Sequence, residues 1–215
     1  MGNINIQDLI KDLYQDYNNC VRPLIVLVET QTNKFPIGLL NGIRAFNDHI
    51  SRAFIDDLSD NNKRDELKAA ERHLYRTKYD CYKVLILNEE DNIQKFLNQY
   101  INIKIADVDS GRFYPKFKSI LINAKQLAKE GKQLESKGKY YFQEALTLYE
   151  KSYATYLELG KFIEDNDDNL IYAISNLRKK NKKEIVTGLI IGIVSSAIVA
   201  GMGFLIRLLV IFIQK

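Results

Sequence analysis

The stretch LLNGIRAFNDHISRAF, residues 39–54, and the stretch AERHLYRTKYDCYKVL, residues 70–85, decide the fold of this 215-residue chain. In both, apolar side chains return every three or four residues, which is the period of an α-helix with one buried face. When the pattern is followed beyond each stretch in both directions, it predicts two amphipathic helices, at about residues 37–58 and 63–87. Their buried stripes are Ile43, Phe46, Ile50, Ala53 and Phe54 in the first helix, and Leu67, Ala70, Leu74, Cys81 and Leu85 in the second.

The rest of the chain also favours helices, and no stretch shows the alternation of a strand. Pro23 either starts a new helix or kinks the helix before it. The polar stretch at 88–91 is expected to break the long helix. The further helices that the sequence predicts are 6–21, 93–100, 117–136, 140–164 and 170–177.

These elements predict an all-α protein divided into four parts. Residues 1–105 form a bundle of four to five helices, and residues 106–177 form a helical hairpin that packs on the bundle or extends it. Residues 178–184 are a basic juxtamembrane linker, and residues 185–213 form one C-terminal transmembrane helix. The hairpin, at 117–164, resembles one tetratricopeptide unit, and a plain hairpin is the other interpretation because no second copy follows.

The membrane prediction comes from IVTGLIIGIVSSAIVAGMGFLI, residues 185–206, which contains no charged side chain. A helix of about 22 residues is about 33 Å long and can cross a bilayer core of about 30 Å. The basic run at 178–183 precedes it, so we expect a single-pass, tail-anchored protein whose N-terminal domain is cytoplasmic. The expected partner at this end is therefore the lipid bilayer.

Small residues recur every four positions along the predicted membrane helix. Such spacing lets a second helix approach closely, and it predicts a homodimer or a higher homo-oligomer. The alternative is that small residues are simply common in membrane helices. The residues concerned are Gly188, Gly192, Ser196 and Ala200.

Charge and cysteine content exclude some classes of function. The chain has 31 Lys and Arg against 27 Asp and Glu, and the basic run at 178–183 accounts for more than this whole excess. The remainder is near neutral, which argues against broad electrostatic binding of duplex nucleic acid but not against a local site. Cys20 and Cys81 are too few and too far apart for a disulfide framework or a zinc motif. With no glycine-rich phosphate loop and no HExxH motif, we expect no metal and no cofactor.

A first polar cluster lies within the 39–54 stretch. Arg44 and His49 form an R-x4-H pattern, with Asn47 and Asp48 between them. A histidine near its ordinary pKa can deprotonate a ribose 2′-hydroxyl, and a planar guanidinium can hold the scissile phosphate. The pattern therefore makes Arg44 and His49 candidate catalytic residues.

A second polar cluster lies within the 70–85 stretch, where His73, Arg76 and Asp80 share one helix face. This second cluster would support catalysis if the first cluster is a catalytic site. The alternative is a purely structural polar seam, since ion pairs four residues apart stabilise a helix by about 0.3–0.5 kcal/mol each. These predicted pairs are Arg44–Asp48, Asp48–Arg52 and Arg76–Asp80.

Taken together, the two stretches resemble the HEPN-type helical proteins. The resemblance implies a compact bundle of four or five helices and, in active members, a metal-independent endoribonuclease built across a dimer. It places Arg44 and His49 at the motif positions and implies a 2′,3′-cyclic phosphate product, in a bacterial stress or phage-defence system. Ala45 follows the motif arginine where active members usually carry a polar residue, so non-catalytic RNA binding and a structural seam stay open.

Two other functions fit the same sequence. In one, the chain is a non-catalytic oligomeric membrane effector, a pore or scaffold whose helical domain senses a signal or partner. In the other, it is an adaptor that recruits a protein partner through the 117–164 hairpin.

Overall fold

The computed structural model describes residues 5–100 and 105–176, with isolated positions 179, 183, 186 and 187. In these residues the chain is helical and contains no strand, which confirms the all-α class. Residues 167–176 are also helical and follow the last of the longer helices. These longer helices are α1 Ile6–Asp16, α2 Arg22–Thr32, α3 Ile37–Ala53, α4 Asp60–Gln99, α5 Phe113–Ser136 and α6 Phe142–Glu164.

The chain stays helical through Pro23. A π-helical turn, Tyr17–Val21, joins α1 to α2, and the N–H of Arg22 donates to the carbonyl of Tyr17 five residues back. A proline has no N–H, and its ring crowds the carbonyl four residues before it. The wider turn just ahead of Pro23 accommodates both effects, and Pro23 then lies in the first turn of α2.

Helix α4 runs for 40 residues without interruption, so the break predicted at 88–91 is wrong. Ile86 and Ile93 lie on either side of that stretch and are both buried. Glu90 within it accepts a hydrogen bond of 2.7 Å from the hydroxyl of Tyr156 on α6. The buried isoleucines and this hydrogen bond stabilise a continuous helix across residues whose sequence by itself predicts a helix end.

Helix α4 is the centre of the molecule, and it contacts α1, α2, α3 and α6. Helices α5 and α6 form the predicted hairpin, in which the buried hydroxyl of Ser152 donates to the carbonyl of Ala124 at 2.8 Å. The hydroxyl of Tyr79 on α4 donates to the carbonyl of Phe142 at 3.0 Å. One continuous hydrophobic core includes residues of both the bundle and the hairpin, so the hairpin packs on the bundle.

The predicted linker at 178–184 and the predicted membrane helix at 185–213 lie outside the described residues, apart from the isolated positions given above. The four small residues Gly188, Gly192, Ser196 and Ala200 lie outside them too. Among the helices that the structure does describe, none combines the length and apolar character needed to cross a membrane.

Candidate functional site

A close contact between α3 and α4 sets the position of the candidate site. A Cβ atom added at Gly42 would lie 2.3 Å from the hydroxyl oxygen of Thr77, so only a glycine fits there without movement. The hydroxyl of Thr77 in turn donates to the carbonyl of His73 at 2.8 Å. The backbone of α3 therefore approaches α4 directly beside His73.

The two histidines of the chain meet at this contact. The rings of His49 and His73 are stacked, with centroids 5.1 Å apart and an interplanar angle of 23°. His49 lies seven residues, or two turns, after Gly42, so it leaves α3 on the side that faces α4. The sequence placed the two histidines in separate clusters, and the structure brings them together.

A carboxylate that the sequence analysis missed fixes one of the two rings. Glu66 lies 2.6 Å from Nδ1 of His49, and the Nε atom of Arg52 lies 3.7 Å from the same carboxylate oxygen. With Nδ1–H donating to Glu66, the Nε2 atom of His49 is left to exchange a proton with a substrate. The missed signal is the spacing of Glu66, His73 and Asp80, which recur every seven residues and so share one face of α4.

The second histidine has a perturbed pKa. Partial burial lowers the pKa of His73, and the positive charges of His49, Arg76 and Arg72 lower it further. Neutral imidazole is therefore the favoured form of His73 at neutral pH. In that form a ring nitrogen can accept a proton.

Arg44, by contrast, does not meet His49 within one chain. A separation of five residues is 500° of helix, which places the two side chains about 140° apart around α3. Arg44 is exposed and makes no ion pair or hydrogen bond with any residue in the described part of the chain. The predicted pairing of Arg44 with Asp48 is therefore wrong.

Neither Asn47 nor Asp48 makes a hydrogen bond or ion pair with the histidine pair in the described residues. The amide of Asn47 donates to the carbonyl of Ile43 at 3.1 Å and accepts from the hydroxyl of Tyr14 on α1 at 3.0 Å. Asp48 is exposed, and Arg52 bonds its backbone carbonyl, at 3.2 Å, rather than its carboxylate. The predicted Asp48–Arg52 ion pair is thus wrong, because Arg52 reaches toward α4.

The second predicted cluster does come together. His73, Arg76 and Asp80 line one side of a pocket of about 290 Å³. The other side is formed by residues of α3, which are Asn41 and the small residues Gly38, Gly42 and Ala45. Asp80 forms its ion pair with Lys83, at 3.5 Å, and not with Arg76 as predicted. The guanidinium of Arg76 forms no close ion pair in the described residues and is exposed to a ligand, and its charge also acts on nearby Glu135.

Cysteine nucleophilicity and metal binding are two other kinds of chemistry to consider at the same residues. Burial raises the pKa of the Cys81 thiol to about 12, so this buried cysteine is unsuited to act as a nucleophile. Across residues 5–100 and 105–176, no three His, Cys, Asp or Glu side chains converge as metal ligands.

Comparison of the chain with protein-family models, with curated proteins and with solved structures gives no match. The function of the chain is therefore inferred from the geometry of the site itself.

Proposed function

We propose that this protein binds and cleaves RNA without a metal ion, at the paired imidazoles of His49 and His73. The observation that supports this most directly is the stacking of the two rings at 5.1 Å, with Glu66 held against one of them. Two imidazoles in different environments are what a phosphodiester transesterification uses, one as base and one as acid. The ring spacing allows both to reach a single phosphodiester.

In the proposed reaction, His73 is the base. Its neutral ring accepts the proton of the ribose 2′-hydroxyl while the 2′-oxygen forms a bond to phosphorus. The bond between phosphorus and the 5′-oxygen breaks, and the protonated ring of His49 gives its Nε2 proton to that leaving oxygen. The products are a 2′,3′-cyclic phosphate and a 5′-hydroxyl, and no oxidant or further reactant is needed.

Arginines around the pair supply the charge that such a reaction needs. Arg72 and Arg76 lie on either side of His73 on α4, and both are exposed. A guanidinium donates two parallel hydrogen bonds to phosphate oxygens and stabilises the negative charge of the transition state. Arg44, the motif residue of the sequence analysis, reaches this centre only if a second chain supplies it.

The proposal retains the membrane location and the biological setting expected from the sequence. The uncharged stretch 185–206 and the basic run before it support a single-pass anchor with residues 1–177 in the cytoplasm. The HEPN resemblance supports a bacterial stress or phage-defence role. Membrane anchoring would confine cleavage to RNA near the bilayer surface.

The experiment uses the full chain in a neutral detergent, with synthetic single-stranded RNA and EDTA. We expect cleavage with 2′,3′-cyclic phosphate ends, lost by 10²-fold or more in His49→Gln and in His73→Gln. Asp48→Asn is the matched control, because Asp48 is exposed on the same helix and its carboxylate has no hydrogen-bond or ion-pair partner in the described residues. Retained cleavage in both histidine variants would refute the proposal.

Arg44→Gln separates two arrangements of the site. If the centre is built within one chain, this variant keeps cleavage within about threefold of the parent protein. If activity falls as far as in His49→Gln while the chain still dimerises, Arg44 of a second chain completes the centre. Both outcomes are read from the same cleavage gel, with oligomeric state measured by light scattering.

A second candidate function is the oligomeric membrane effector, and the regular spacing of Gly188, Gly192, Ser196 and Ala200 favours it. Gly192→Leu would block close helix packing in this case and abolish dye release from liposomes. The ribonuclease proposal expects RNA cleavage by that variant to continue. The two functions are therefore separable in one pair of assays.

A further inference from the structure

A groove leads away from His73 between α4 and the turn that joins α5 to α6. It has a volume of about 400 Å³, with Arg72, His73 and Arg76 on one wall and Gly138 and Phe142 on the other. A second recess of about 380 Å³ shares Arg72 and Phe142 with it and continues to Lys139 and Tyr140. We call these two together the α4 groove.

The cations of the α4 groove are available, and its carboxylates are mostly engaged. Arg72 and Arg76 are one helical turn apart, are exposed, and have no ion-pair partner in the part of the chain that the structure describes. Glu135 in the groove instead accepts from Lys83 at 2.8 Å and from the hydroxyl of Tyr149 at 2.7 Å.

One acidic residue lines the recess, and a second is paired with a lysine of its wall. Asp65 forms an ion pair at 2.9 Å with Lys68, which lines the recess. Glu71 also lines the recess and is exposed. Arg72, Arg76 and Lys139 still outnumber the unpaired carboxylates, so the groove favours an anionic ligand.

Aromatic rings accompany these cations. Tyr140 is 86% exposed, which packing does not explain, and the Nζ atom of Lys139 lies 5.3 Å from the centroid of its ring. The turn that presents Tyr140 is fixed, since Gly138 has a φ of 97° and the carbonyl of Phe142 accepts from Tyr79. Phe142 and Tyr75 add two further rings in the recess.

Cations beside an exposed aromatic ring are the combination that binds single strands, because unpaired bases stack on aromatic rings while phosphates meet the cations. A duplex hides the faces of its bases and is read across its minor groove instead. An anionic membrane is flat and contacts protruding side chains, whereas Arg72 and Arg76 line a recess. The geometry favours RNA over lipid.

We propose that the α4 groove binds the single-stranded RNA next to the cleaved bond, with phosphates on Arg72 and Arg76 and a base stacked on Tyr140. This inference depends on the proposed function, and it names the substrate class as unpaired RNA. Arg72, Arg76 and Tyr140 are binding residues in it, and His49 and His73 remain the catalytic pair.

The test measures binding apart from cleavage. The full chain in neutral detergent is titrated into a fluorescent 2′-O-methyl RNA, which has no free 2′-hydroxyl to attack, either single-stranded or annealed to its complement. We expect Arg72→Gln combined with Arg76→Gln to weaken single-strand binding about tenfold. The salt slope, by which we mean the steepness of the fall of the logarithm of the binding constant with the logarithm of salt concentration, should decrease by about 1.4. Tyr140→Ala should weaken it about fivefold or more with an unchanged salt slope.

Matched controls carry the same chemical change elsewhere on the surface. Lys118→Gln with Lys125→Gln removes two exposed cations of α5, and Tyr172→Ala removes a tyrosine that is 68% exposed. We expect both controls to bind within about twofold of the parent protein. Flotation with phosphatidylcholine vesicles, with and without phosphatidylserine, measures lipid binding by the same variants.

The outcomes separate this inference from the proposed function. Parent-like RNA binding by the groove variants, tighter binding of the duplex, or loss of vesicle binding alone would overturn the groove assignment and leave cleavage at His49 and His73 standing. Binding without any cleavage of ordinary RNA would support the groove and overturn the catalytic proposal. No binding and no cleavage would overturn both.

Discussion

Replacing Gly42 by alanine tests whether the contact between α3 and α4 is as close as the structure has it. In an unconstrained helix the change is stabilising by about 1 kcal/mol, because glycine is the poorer helix former. Here the new Cβ would lie 2.3 Å from the hydroxyl of Thr77, more than 1 Å inside ordinary contact, which begins at 3.4 Å. Moving a helix or a buried side chain by that amount costs about 1–3 kcal/mol.

Thr77 has little freedom to move. It is 1% exposed, and its hydroxyl donates to the carbonyl of His73 at 2.8 Å. Turning the hydroxyl away breaks a buried hydrogen bond, at a net cost of about 0.5–1.5 kcal/mol. We therefore expect Gly42→Ala to lower the free energy of unfolding by about 1–2 kcal/mol and the melting temperature by roughly 2–8 °C.

The assay is thermal and urea unfolding of the full chain, followed by circular dichroism. Gly160→Ala is the matched control, since that helical position has no neighbouring atom within 4 Å and should become more stable. Thr77→Ala removes the clashing oxygen, so in the double variant the cost of Gly42→Ala should fall by about 1 kcal/mol or more. The close contact between Gly42 and Thr77 would be refuted if Gly42→Ala stabilised the protein as much as Gly160→Ala. It would also be refuted if the changes in unfolding free energy of Gly42→Ala and Thr77→Ala simply added in the double variant.

Three other predictions follow from the same structure. The pKa of His73 is lowered in the folded state from its ordinary value of 6.5, so the unfolded chain binds this proton first as the pH falls. The free energy of unfolding therefore decreases as the pH falls through about 6.5, and it levels off below the folded pKa. His73→Asn should reduce the drop in melting temperature between about pH 7.5 and 5.5. Lys78 is 7% exposed and donates to both carboxylate oxygens of Asp16, at 2.6 and 2.8 Å. Asp16→Asn should lower the free energy of unfolding by about 2 kcal/mol in urea, more than Lys78→Met does, because only Asp16→Asn leaves a buried ammonium without its counter-charge. Gly138 has φ 97° and ψ −167°, a region nearly closed to other residues, so Gly138→Ala should lower stability by about 1–3 kcal/mol, and an unchanged melting temperature would contradict that conformation.

Much of the secondary structure could be predicted from the sequence, because helix periodicity and capping depend on residues that are close together in the chain. In the predicted buried stripe of α3, Phe46, Ile50 and Ala53 are buried as expected, and α5 and α6 form the predicted hairpin. Phe54 is instead 62% exposed, because the helix ends at Ala53 and does not continue to residue 58. One local prediction failed for a non-local reason, because helix α4 continues through 88–91 where α6 packs on it. Pro23 lies in the first turn of α2, which was one of the two expectations for that residue.

The candidate site was only half predictable. His73, Arg76 and Asp80 share a face because seven residues make two helical turns, and the structure places them around one pocket. The same rule, applied to Arg44 and His49, puts them on different sides of α3. The contact of Glu66 with His49 was not predictable, since the two residues belong to different helices.

By itself, the sequence determined the all-helical class, the faces that each helix buries, and the uncharged stretch at 185–206, because each depends on residues a few positions apart. The tertiary structure alone decided which polar residues meet. Periodicity orients a helix about its own axis, but it does not set how far a neighbouring helix slides along it. The close approach at Gly42 and Thr77 sets that register, and it places His49 against His73 and Glu66 and leaves Arg44 in solvent.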